Sequence, residues 1–193
     1  MSYFPDSGPC DYFDGRPGLV AVGWLEAGFE FPVGDVSAAS LEKLEVLLHT
    51  SWQETWTSFL GWHECSLCNQ ARGSKNLFIP GISCVYVAPE LILHYIKAHG
   101  YKPPGDFLQA VEECPPQDSQ NYFLALRSAG LDPTNWWVPT CFGNSESGVS
   151  PEDHKRAVEN EVSRLSLKYF PEEHRSATAG LYAEADPGSG PGV

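Results

Sequence analysis

The chain has 193 residues, 42% of them hydrophobic and 12% aromatic, enough for one domain that buries roughly 70% of its unfolded surface. Its net charge of −13 comes from 25 acidic against 12 basic residues. That field repels phosphate backbones, and no Lys/Arg cluster offsets it, so nucleic-acid binding is excluded as an expectation. No apolar run approaches the ~20 residues of a membrane span.

Residues 1–18 are rich in Gly, Pro and Asp and read as an irregular N-terminal arm. They lack the basic and apolar regions of a signal peptide, so a cytoplasmic location with free thiols is expected for the six cysteines. Residues 19–25, Leu-Val-Ala-Val-Gly-Trp-Leu, have the branched, apolar content of a buried strand. Gly28 offers a turn, and 29–33 is expected to return as a second strand, at an edge because of Pro32. Leu41, Leu44, Leu47 and Leu48 recur at helical spacing and predict a helix over 38–49, capped by Ser37 or Ser40.

Thr and aromatic residues from 55 onward favour a strand entering Cys65. Residues 69–76 read as a polar loop. Residues 77–79 and 84–88 read as short strands around the turn dipeptide Pro80-Gly81. Pro89 suits the first position of a helix that runs to His99, with Gly100 as its left-handed terminator. Further helices are expected over 105–113, 119–129 and 151–169. Gly130 closes the second of these, and Ser150-Pro151-Glu152-Asp153 opens the third. Residues 19–175 then form a single domain, and the Gly/Pro/Ser-rich residues 176–193 a disordered tail. The fold class is α+β: a small antiparallel sheet with a metal-pinned β-hairpin and helix, surrounded by additional helices.

The chemistry is concentrated in Cys65-x2-Cys68 and His94-x4-His99. Two thiolates and two imidazoles are the donor set of a structural, tetrahedral Zn2+, and two thiolates neutralise its charge. On an ideal helix positions five apart are rotated by about 140°, so His99 reaches the same ion only if the last turn tightens or unwinds. His63 and Cys84 are the substitutes if one ligand is misassigned. The order of knuckle, hairpin and helix resembles an enlarged Cys2His2 zinc finger, which implies Cys65, Cys68, His94 and His99 as ligands. Its middle spacing is 25 residues against about 12 in the nucleic-acid fingers, and its helix, Glu90-Leu-Ile-Leu-His94-Tyr-Ile-Lys-Ala-His99, is apolar rather than basic. The stretch Asn76-Leu-Phe-Ile-Pro-Gly to Tyr101-Lys-Pro-Pro104, together with Val22-Gly-Trp-Leu25, is also similar to an uncharacterised bacterial protein family over roughly 19–114. That resemblance supplies no activity.

Four protein donors leave no place for a reactive water, and no catalytic residues are assigned. His63-Glu64 starts a zinc-protease motif, but Leu67 stands where its second His belongs. Leu67-Cys68-Asn69 to Lys75 resembles the tail of HNH-type nucleases without their catalytic Asp-His pair. The expected function is therefore a non-enzymatic, zinc-stabilised protein whose acidic surface binds a basic protein partner. One alternative is a metal-dependent hydrolase or HNH-like nuclease, with Glu64 or Glu90 beside an open metal position. The other is small-ligand or carbohydrate binding at the Trp136-Trp137 loop.

Overall fold

The computed structural model describes residues 3–13, 18–49 and 58–131, and six positions further on (156, 160, 163, 164, 167 and 168). Trp136-Trp137, the 176–193 tail and Cys141 lie outside the described residues. The helix expected over 151–169 is helical at each of those six positions, all of them exposed. Among the described residues no helix is long and apolar enough to cross a membrane.

Four strands and four α-helices make up the described chain, with three strands in succession followed by three helices. They are β1 (Leu19–Ala21), α1 (Ala38–His49), β2 (Ser58–Glu64), β3 (Arg72–Pro80), β4 (Val85–Pro89), α2 (Ile92–His99), α3 (Gly105–Glu113) and α4 (Gln120–Ser128). The strands form one sheet in the order β1-β4-β3-β2, so the fold is α+β as expected. The sheet is mixed rather than antiparallel. β2–β3 and β3–β4 are antiparallel, but β1 pairs parallel with β4, Leu19 opposite Val85 and Ala21 opposite Val87. The apolar run at 19–25 specifies a buried strand but not its direction. The long excursion through α1, β2 and β3 lets the chain return alongside β1 in the same sense.

Three elements differ from expectation. Residues 29–33 form no strand; only Val33 makes a bridge, to Tyr101. β3 begins at Arg72, inside the expected polar loop, because the Glu90 carboxylate accepts the N–H groups of Ser74 (2.9 Å) and Lys75 (3.3 Å). Glu90 N–H in turn donates to Lys75 O at 2.8 Å. That bond extends the ladder past Pro89, so α2 starts at Ile92 rather than at the proline. The remaining helices follow their sequence signals. Ser119 caps α4 by accepting Tyr122 N–H. Gly130 (φ +96°) lets its own N–H and that of Leu131 close on Arg127 O and Leu126 O, a Schellman termination.

The core lies between the sheet and the helices. Trp24, Leu44, Leu47, Phe78, Ile79, Ile92, Tyr95, Tyr101, Phe107, Tyr122 and Phe123 are all fully or almost fully buried. Buried polar ends find backbone partners: Trp24 Nε1 donates to Val87 O, and Tyr122 Oη to Phe78 O at 2.6 Å. The arm is irregular in backbone yet packed against this core. Cys10 and Phe13 are buried, and Asp6 accepts hydrogen bonds from Gly23 N–H (2.9 Å) and Tyr101 Oη (2.8 Å). A carboxylate with buried donors on both sides ties residue 6 to residue 101.

Candidate metal centre

Cys65 and Cys68 form the turn between β2 and β3. The turn closes by Cys65 N–H to Ala71 O (2.8 Å) and Asn69 N–H to Cys65 O (2.7 Å), with Asn69 in the left-handed region at φ +56°. Asn tolerates that conformation better than most residues. The fold aims backbone donors at the sulfurs: the N–H groups of Leu67 and Cys68 at Cys65 Sγ, and that of Gln70 at Cys68 Sγ (3.4 Å). Such donors favour thiolates. Ser66 Oγ anchors the turn from outside by accepting Ala27 N–H.

The imidazoles come from α2. The N–H groups of Gly100 and Tyr101 both reach back to Tyr95 O, five and six residues earlier, where an α-turn would span four. The last turn is therefore wider than α, and it ends on Gly100 at φ +66°. Widening reduces the azimuth between His94 and His99, and their Nε2 atoms lie 3.2 Å apart. Tyr95, fully buried between them in sequence, supports both rings, with centroids 5.9 and 6.2 Å from its own.

The four donor atoms converge. Cys65 Sγ is 3.6 Å from Cys68 Sγ and 3.4 Å from His99 Nε2, and Cys68 Sγ is 3.4 Å from His94 Nε2. All four lie within 4.8 Å of one another, positioned to bind a metal ion. Cys65 is buried and the other three are half-buried. Burial pushes the Cys65 thiol up, with the neighbouring Cys68 sulfur adding to the rise while the turn amides oppose it. Burial, then the neighbouring His99, holds His94 below the usual imidazole range, in the neutral form a metal ligand needs.

The four residues singled out in the sequence are thus the ones brought together, and neither suggested substitute joins them. His63 is half-buried, with its ring edge-on to Tyr12; Cys84 belongs to the β3–β4 turn, where its carbonyl accepts Gly81 N–H. Glu90, considered as a base beside an open metal position, is engaged by the β3 backbone. No local signal marks that role, which depends on the long-range pairing of β3 with the residue that precedes α2.

The pattern for a domain of unknown function, DUF7919, matches residues 2–112, more than half of the chain and including all four Cys/His residues. The chain belongs to the DUF7919 family. The match agrees with the uncharacterised family suggested by residues 19–114, and extends it through the N-terminal arm. For this DUF7919 domain, no curated protein and no solved structure gives a match.

Proposed function

We propose that this DUF7919 domain is a non-enzymatic, zinc-stabilised interaction module of the cytoplasm, in which Zn2+ fastens the β2–β3 turn to the end of α2. The observation that carries this reading is the size of the donor tetrahedron. Zn–S bonds of about 2.3 Å and Zn–N bonds of about 2.05 Å at tetrahedral angles require edges of about 3.8 Å (S–S), 3.6 Å (S–N) and 3.3 Å (N–N). Four of the six edges measure 3.6 Å (S–S), 3.4 Å twice (S–N) and 3.2 Å (N–N), and all four donor atoms lie within 4.8 Å of one another. Larger cations such as Ca2+ take six to eight oxygens, and this donor set offers none.

Four protein donors complete a tetrahedral sphere, which favours a structural over a catalytic role. The candidate bases support the same reading: Glu90 holds β3, and Glu64 is paired in register with Arg72 across β2–β3. The described cysteines, Cys10, Cys65, Cys68, Cys84 and Cys114, are free, in keeping with a reducing compartment. The net charge of −13 favours a basic protein partner. Thermal melting of the purified protein with and without 1,10-phenanthroline tests the metal's role. The expected result is a large loss of melting temperature on chelation, recovered with added Zn2+; unchanged melting would contradict it.

A further inference from the structure

On the far end of the β3–β4 hairpin from the Cys turn, a cleft of about 520 Å³ opens between Pro80–Tyr86 and the face of α3. Its apolar walls include Pro80, Tyr86, Ala110 and Ala125, and Ile82 lies on its rim. Ile82 is 99% exposed. The turn is held rather than loose: Gly81 N–H donates to Cys84 O at 2.8 Å. A Cβ at residue 81 would come within 2.9 Å of the Tyr86 ring.

The charged lining residues are acidic, beside the neutral Ser83 and Gln109. Asp106 and Glu113 face the cleft from the two ends of α3, and none of the described lining residues is Lys, Arg or His. Asp106, in the first turn, suits the helix dipole. Glu113, in the last turn, lies where the dipole disfavours a carboxylate, and its described contact is a neutral one, Gln109 Nε2 at 2.8 Å. A cation in the cleft would relieve that unfavourable placement and lie in the field of both carboxylates, while its aliphatic stem lay on Tyr86 and Ala110. An adjacent apolar residue would cover Ile82.

We propose that this cleft is the docking site for a protein segment carrying an arginine or lysine next to an apolar residue. The proposal rests on the reading of the protein as an interaction module with a basic partner, and names the surface and the chemistry it selects. The test is a titration of the isotope-labelled, zinc-loaded full chain with acetyl-Leu-Arg-Leu-amide, followed by amide chemical shifts. The control peptide has citrulline, the uncharged isostere, in place of Arg.

Saturable shifts confined to Gly81–Tyr86 and Asp106–Glu113, absent with the citrulline peptide, are expected. Asp106→Asn and Glu113→Gln should each weaken binding by about tenfold, and Ile82→Ser should weaken it too, with the spectrum otherwise unchanged. Shifts spread over other acidic surface, insensitive to these substitutions, would overturn the cleft while leaving a basic partner in place. No binding by either peptide would overturn both. Equal affinity for butylguanidinium alone would overturn a peptide segment in favour of a small cation. Concentration-dependent shifts at these residues without peptide would assign the cleft to a second copy of the chain.

Discussion

At the scale of single residues, Cys65, Cys68, His94 and His99 carry the account. On the proposed zinc reading their contributions are not graded: losing one donor would leave a tripod that holds Zn2+ far less well, with buried or half-buried donors left without an ion. Structural zinc contributes about 10–16 kcal/mol of apparent binding free energy in small fingers, comparable to or above a domain's whole net stability of about 5–15 kcal/mol. Cys68→Ala and His94→Ala are therefore expected to lose both metal and cooperative folding of β2, β3 and α2. Circular dichroism melting with metal analysis checks this; a well-folded Cys68→Ala protein with unchanged melting would oppose it. His63→Ala and Cys84→Ala serve as the comparison, since both side chains lie outside the donor cluster and should keep full metal content.

At the scale of elements, the centre depends on how two ends are shaped: a β-hairpin turn that points amides at sulfur, and a helix whose last turn widens before Gly100. Gly100→Ala places a Cβ at φ +66°, 3.3 Å from Val33 Cγ1. It should cost about 1–2 kcal/mol and, by disturbing the widened turn, swing His99 and lower zinc affinity; competition with a chromophoric chelator measures the loss. These features explain what could be read in advance. Helix α1 was legible from its leucine spacing, the end of α2 from Gly100, and the grouping of Cys65, Cys68, His94 and His99 from donor chemistry and spacing, because each is a local signal. The parallel pairing of β1 with β4 was not, since strand composition carries no direction. The early start of β3 was hidden because Arg72-Gly73-Ser74-Lys75 has a loop's polarity and becomes a strand only through β2 and the Glu90 carboxylate. The anchoring of the arm through Asp6 was equally hidden, depending on contacts with residues 23 and 101.

At the scale of the whole molecule, two tethers close the domain. Asp6 joins the arm to the residues beyond α2, and the Cys/His cluster joins the β2–β3 turn to α2 itself. The core beneath them holds buried thiols whose ionisation opposes folding. Burial pushes Cys10 and Cys114 from the ordinary 9.0 up to about 12. In the unfolded chain both ionise near pH 9, while in the folded protein they stay protonated, so stability is full below pH 9 and falls between pH 9 and 12. Each thiol contributes up to about 1.4 kcal/mol per pH unit to that fall. Urea unfolding across this window should show a shallower decline in the Cys10→Ala, Cys114→Ala double variant than in the native chain; parallel declines would show that the thiols do not drive it. The central claim remains the ion, and X-ray absorption at the zinc edge, combined with metal stoichiometry on the purified protein, tests it most directly. One zinc per chain, with two sulfurs at about 2.3 Å and two nitrogens at about 2.0–2.1 Å, is the predicted result. A protein purified under zinc-replete conditions without bound metal, or a first shell dominated by oxygen, would contradict it.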